Sequence, residues 1–351
     1  MNLEQVEKIA EAVLYEGYML YPYRPSSVKN QRRWNFGVLC PEAYCERQHG
    51  SESWAMQTEC LLKTTSSTRM TVKVRFLQIV KRTVGRVLPS GHLAAEEASL
   101  NFELVQNLEL NGRMYRPWEE AVERDVTISD LDLSALKPGR TINFKFPAGD
   151  ELEYLRDEQD QVAGVISRQW ETLCGAVSIQ AHLCNPDVNM VTVGVTNLTT
   201  FPVSTGETRD EALTFSLVSA HTILGVKGGE FISLLEPPPG FEDLVAQCKN
   251  IGTWPVLAGE GAETVLSSPI ILYDHPQIAP ESAGNLFDST EIDEILSLRI
   301  LTLTDDEKRE MRQSDDRTRE ILERTENMPD EQFMKLHGVL RGISPLKEEA
   351  R

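Results

Sequence analysis

The chain lacks the short motifs whose spacing alone announces a reaction. No GxxxxGK[ST] or GxGxxG stretch occurs in its 351 residues, so no glycine loop is set to cradle a nucleotide phosphate at a helix N-terminus. GxSxG, HExxH and Cys-x-x-Cys are missing too, which leaves no catalytic triad, zincin helix or dithiol redox centre to propose. Long apolar runs are absent, with none reaching the roughly 18 residues of a membrane-spanning helix. Positive charge is in short supply. Fifty-four acidic side chains oppose 35 basic ones, a formal net charge of -19, and such a field repels nucleic acid backbones and anionic lipid surfaces. The six cysteines are too sparse for a disulfide scaffold, so reduced thiols are expected.

What is present reads as a folded α+β protein, with 40% apolar and 25% charged residues. The length favours more than one domain. The N-terminal segment is amphipathic and acidic, without the basic start and apolar centre of a signal peptide, so the expected location is cytoplasmic and no membrane insertion is expected.

Texture changes along the chain suggest an N-terminal β-rich domain over 1–148, a second β-rich domain over 149–287 and a C-terminal helical segment over 288–351. Residues 2–15 place Val6, Ile9, Ala10, Val13 and Leu14 at helical spacing. TVKVRFLQIV then alternates Val72, Val74 and Phe76 with Lys73 and Arg75, the period of a half-buried strand. ERDVTISDLDL, RTINFKF and NPDVNMVTVGVTNLT repeat that pattern, the last with Val191, Val193 and Val195 on one face. GHLAAEEASLNFEL reads as a short helical start, SALKPGR as a turn, and the glycine pair in KGGEF as a hairpin turn. With no regular strand-helix alternation, a mostly antiparallel, sandwich-like sheet is expected, not a doubly wound fold. Three helices are expected near the C-terminus: DSTEIDEILSLRILTL, TDDEKREMRQSDDRTREILERTENM and MPDEQFMKLHGVLRG. The second opens on Thr304 and Glu307 in capping-box positions.

Two surfaces carry the functional expectation. In YPYRPSSVKNQRRWNF, Arg24, Lys29, Arg32 and Arg33 are interleaved with Tyr21, Tyr23 and Trp34. That mixture suits single-stranded nucleic acid by stacking and charge, but equally a protein interface, and the acidic remainder of the chain favours the interface. In LYDHPQIAPES, Asp274, His275 and Glu281 stand in a loop stiffened by Pro276 and Pro280. Neighbours in an extended chain face opposite ways, so Asp274 and His275 do not cooperate merely by adjacency. The loop reads as a preorganised docking surface. The alternative is a metal-dependent enzyme whose site combines these three residues with His221. A zinc site from Cys40, Cys45, His49 and Cys60 is conceivable, but the second close ligand pair is missing and ordinary residues are the simpler reading. No metal ligand or cofactor follows from these residues.

The stretches AVLYEGYMLYPYRPSSVKNQRRWNFGVLCP, WAMQTECLL, NIGTWPVLAGE and LSSPIILYDHPQIAPESAGNLFDSTEIDEILSLRILTLTDDEKREMR resemble an uncharacterised bacterial protein family. Its genes lie in the clusters of aerobic, high-affinity nickel-iron uptake hydrogenases. The resemblance implies a hydrogenase accessory role, in assembly, cofactor delivery or subunit handling, with a hydrogenase subunit or maturation factor as partner. The chain has neither the paired cysteines of nickel carriers nor the P-loop of nickel-inserting GTPases, so a non-catalytic binding or chaperone-like factor is the form expected.

Overall fold

A computed structural model describes residues 3–16, 18, 21–24, 27, 35–88, 101–202, 208–277, 286, 293–314, 316–329 and 331. Its helices are α1 (Leu3–Leu14), α2 (Glu42–Arg47), α3 (Arg209–Leu213), α4 (Glu242–Val245), α5 (Asp293–Leu301), α6 (Asp305–Ser314) and α7 (Asp316–Glu326). The strands are β1 (Ala55–Val87), β2 (Phe102–Leu104), β3 (Leu108–Leu110), β4 (Arg113–Tyr115), β5 (Trp118–Asp132), β6 (Arg140–Phe146), β7 (Gly149–Arg156), β8 (Val162–Trp170), β9 (Leu173–Asn185), β10 (Val188–Asn197), β11 (Val218–Ile232), β12 (Trp254–Leu257) and β13 (Thr264–Ser268).

Strand β1 is 33 residues long and forms antiparallel pairs with five others. The overlaps of these registers assign its edges. One edge meets β10 at 55–63, β5 at 69–82 and β2 at 85–87; the opposite edge meets β11 at 61–77 and β8 at 81–86. From β10 the sheet continues through β9 to β6, and from β11 through β13 to β12. Strands from both sides of the expected division at 148/149 therefore belong to one sheet. The α+β, mostly antiparallel expectation holds, with the sandwich-like packing made by one sheet that curls. Phe144 and Phe146 of β6 return to pack on Phe76 of β1, with ring centroids 5.9 and 5.7 Å away. Between the curled faces lies the main core, which includes Val72, Val74, Val191, Val193 and Val195.

The odd-numbered positions of β1 face outward, and their partners change along the strand. Lys73 Nζ lies 2.7 Å from the Glu7 carboxylate of α1, and Arg75 donates to Glu123 of β5 at 2.9 Å. Farther along, Leu77 and Ile79 are buried with Leu14, Tyr15, Leu296, Ile300, Met311 and Leu322, which brings α5–α7 onto this face. Helix α1 covers β11–β13 with Val6, Ile9 and Ala10, as its spacing predicts.

Some local expectations are corrected. The glycine pair at 228–229 is not a hairpin turn: it lies within β11 opposite a bulge of β1 at 65–68, and the Gly228 carbonyl accepts from the Thr65 and Thr68 hydroxyls of that bulge. NFEL contributes strand β2, while GHLAAEEASL lies outside the described residues. The long helix expected after Thr304 is two helices, α6 and α7. Its capping box is present. Thr304 N–H and hydroxyl donate to Glu307 and Glu307 N–H donates back to the Thr304 hydroxyl, and those donors hold the Glu307 carboxyl below its usual range. The third helix expected, over 328–342, lies almost wholly outside the described residues.

Because Phe76 joins β1 to the returning β6, Phe76→Ala opens a cavity at the curl and is expected to cost about 3–5 kcal/mol. Urea titration should show a lower midpoint at unchanged slope.

Candidate docking surface

The segment after β13 runs with alternate residues exposed: Ile271, Tyr273, His275 and Gln277 face outward, while Leu272, Asp274 and Pro276 are half-buried. Leu272 explains the inward set, since it packs on the cluster of Val6, Val256 and Leu266. Asp274 is the latch. One carboxylate oxygen accepts from the Leu257 N–H at 2.8 Å and the other from the Ser233 hydroxyl, which in turn accepts from Glu236 N–H at 2.8 Å. His275 adds two bonds, its N–H to the Leu257 carbonyl at 2.7 Å and its Nδ1 to the Gly259 carbonyl at 2.8 Å. Its backbone takes a positive φ of 54°, a bend that side chains rarely adopt without support.

Asp274 and His275 share no hydrogen bond among the described residues. Both are engaged with backbone or with Ser233, which makes them positioning groups for the loop. Glu281 lies outside the described residues. His221, the fourth member of the enzyme alternative, is fully buried on β11, with Nδ1 at 2.6 Å from the Ser219 carbonyl and Nε2 at 3.2 Å from the Ser268 hydroxyl. Burial, aided by Arg75, lowers its pKa to about 4, so the ring is neutral at pH 7. Among the described residues, no group of three or more His, Cys, Asp and Glu is placed to hold a metal ion. Cys40 and Cys45 share one cluster, whereas Cys60 belongs to the main core, so the conceivable zinc set is not assembled. Burial pushes the Cys40 thiol up to about 12 and Cys45 up to about 11.

The N-terminal aromatic and basic patch is placed differently from its expectation. Tyr23 is 4% exposed and its hydroxyl donates to the Leu286 carbonyl, so it is core and not surface. Tyr21 packs edge-on against Tyr23 and beneath the Arg299 guanidinium. Arg24 is ion-paired with Glu307 at 2.8 Å. These three residues tie the N-terminal segment to α5 and α6. Lys29, Arg32, Arg33 and Trp34 lie outside the described residues.

The latch instead displays a different apolar surface. Tyr273 is 87% exposed and Ile271 71%, and half-exposed Leu235, Trp254 and Ile251 stand in neighbouring segments, Leu235 between the loop's partners Ser233 and Glu236, and Ile251 and Trp254 just before and at the start of β12. Exposed Glu236 and Glu260 flank it. Large apolar side chains clustered at the surface with a polar rim mark interaction sites. Strand addition is not the mode that fits. Leu257 spends its outward N–H and C=O on the loop, and the other outward position of edge strand β12 is Pro255, which has no N–H. The signal missed in the sequence is the alternation itself, which continues from Ile271 to Gln277 without forming a strand.

Comparison with known proteins adds little. No protein-family model matches the chain, and no curated protein matches it. One solved structure with slight similarity is the Salmonella SPI-1 type III secretion injectisome secretin InvG in the open gate state. It is 7% identical, at a TM-score of 0.12, over 53% of this chain, which spans only 48% of that one. No helix among the described residues is long and apolar enough to cross a membrane.

Asp274→Ala removes two acceptors at once and is expected to cost about 1–3 kcal/mol, with faster hydrogen exchange confined to 257–259 and 271–277. For His221 the sign runs toward acid instability. The folded ring, at about 4, refuses a proton that the unfolded ring takes at 6.5, so stability is full above pH 6.5 and falls by up to about 3 kcal/mol as pH drops to 4. Chemical unfolding of His221→Gln across that range should lack this component.

Proposed function

We propose that the protein is a non-catalytic, protein-binding accessory factor whose docking surface centres on Tyr273 and Ile271. The observation that carries this reading is the latch: a loop held at Asp274 and His275 so that two large apolar side chains stand mostly in solvent. Preorganised apolar anchors lower the ordering cost of association, about 0.5–1.5 kcal/mol per immobilised side chain. An acidic rim on a chain of net charge -19 selects a partner with basic residues around an apolar pocket.

The partner we assign, on the resemblance in the sequence, is a nickel-iron hydrogenase subunit or maturation factor, met in the cytoplasm. The test is affinity capture of the full chain from cells expressing a hydrogenase operon, with metal analysis of the eluate. A hydrogenase subunit or maturation factor should be retained by the native chain and lost from the Ile271→Asp, Tyr273→Ser double variant, whose unfolding midpoint should match the native one. A metal-loaded chain that emerges alone, or retention by the variant, would overturn the proposal.

A further inference from the structure

Strand β6 ends the strand order on the side opposite β12 and pairs with β9 alone. In an antiparallel ladder the N–H and C=O of one residue point to the same side. Just past β10, Leu198 N–H donates to the Cys174 carbonyl at 2.9 Å, and Cys174 N–H donates to the Thr199 hydroxyl at 3.0 Å. Cys174 therefore faces the β10 side, and its neighbours Leu173 and Gly175 face β6. The register sets Phe146 opposite Leu173, Phe144 opposite Gly175, Ile142 opposite Val177 and Arg140 opposite Ile179, so these even positions carry the ladder to β9. Thr141, Asn143 and Lys145 turn their N–H and C=O groups outward. All three residues are exposed, and no hydrogen bond to those outward groups is made among the described residues.

Proline, bulge and cover are the devices that keep an edge from pairing, and β6 has none of them within 140–146. What it has is charge. Residues 133–149 hold Lys137, Arg140 and Lys145 and no acid, and β9 alongside carries no carboxylate. These cations are exposed, and among the described residues none has an ion-pair partner. In a chain of 54 acidic and 35 basic residues this is an unmatched positive strip. Like charge on the strip, with -19 on each whole chain, opposes the β6 edge of a second copy. An acidic strand meets attraction instead, because salt screens the distant acids beyond about 8 Å while the adjacent cations still act.

We propose that β6 takes up an acidic, extended segment of a partner protein as an added antiparallel strand. Segment residues opposite Thr141, Asn143 and Lys145 share their polar face, and carboxylates belong there beside Lys145. Those opposite Ile142 and Phe144 meet half-buried apolar side chains, and apolar residues belong there. The pattern recognised is an alternation of acidic and apolar residues along 141–145, bounded by Pro147, which offers no N–H. This edge does not rest on the docking surface at Tyr273.

The test is fluorescence anisotropy of a labelled five-residue peptide, glutamate alternating with valine and glutamate at both ends, titrated with the full chain. Saturable binding is expected, at least about tenfold tighter than that of the peptide with lysine for glutamate, and weaker as salt rises. In antiparallel pairing the glutamate N–H groups face β6 and the valine N–H groups face away. N-methylation at the glutamates should abolish binding, while N-methylation at the valines should leave it within about threefold. Asn143→Pro removes an outward donor and no ladder bond, so it should weaken binding about tenfold at an unchanged thermal midpoint. Lys145→Glu should weaken it as much, and decides the matter if Asn143→Pro does not fold. Equal affinity for the lysine peptide, no saturation in the millimolar range, binding that survives methylation at the glutamates, or unchanged affinity in Lys145→Glu would overturn the proposal. Sedimentation showing a dimer that Asn143→Pro converts to monomer would also overturn it, by giving the edge to a second copy.

Discussion

Backbone hydrogen bonding along both edges of β1 is the constraint on which the rest of the molecule depends. A strand of 33 residues presents a row of peptide groups to either side, and every buried one needs a partner. No single neighbour is as long. The chain meets the demand with partners in sequence along each edge, β10, β5 and β2 on one and β11 and β8 on the other. This is why segments from both halves of the sequence interleave, and why one sheet holds strands from both sides of residue 148.

The side chains of β1 then decide what each face does. Even positions over 70–76 are uniformly apolar and fill the curl, whereas odd positions pass from Lys73 and Arg75 to Leu77 and Ile79. Charge comes first, beside Glu7 of α1 and Glu123, and apolar surface second, beneath α5–α7. Glu123 joins these regions. It receives Arg75, Arg317 of α7 and the Tyr15 hydroxyl, with the Arg317 guanidinium 4.1 Å from the Tyr15 ring centroid. Such half-buried networks add less free energy than the apolar core, but they select one docking angle for the helices.

What was legible in the sequence was whatever depends on a local period. Val72, Val74 and Phe76, the 191–195 alternation, helix α1 and the Thr304–Glu307 capping box all follow from neighbours within a few residues. The rest depends on distant segments. Gly228-Gly229 has the composition of a hairpin turn, but whether it turns or runs on as strand depends on the β1 bulge with Thr65 and Thr68, some 160 residues away. Tyr23 looks like an interface aromatic until Leu286 is seen to accept its hydroxyl bond. Asp274 and His275 were legible as non-cooperating neighbours, because alternation is local; their partners Ser233, Leu257 and Gly259 were not.

The display of Tyr273 rests on more than its own loop. Beneath the β12–β13 hairpin, the Ser267 hydroxyl stands 2.7 Å from both Thr58 of β1 and Thr253, and His221 meets Ser268 one position on. Buried polar chains of this kind, once satisfied, hold one geometry, because any shift strands a polar group away from water. The hairpin is thereby fixed to β1 and β11, the Asp274 latch is fixed to the hairpin, and the exposed side chains inherit that order. Affinity at such a surface comes from apolar anchors that need little further ordering, while the acidic field of the chain governs which partners approach and how fast. Separating these two roles lets the same rigid edge reject strand addition, through Pro255 and the occupied Leu257, and still offer side chains to a partner of complementary shape and charge.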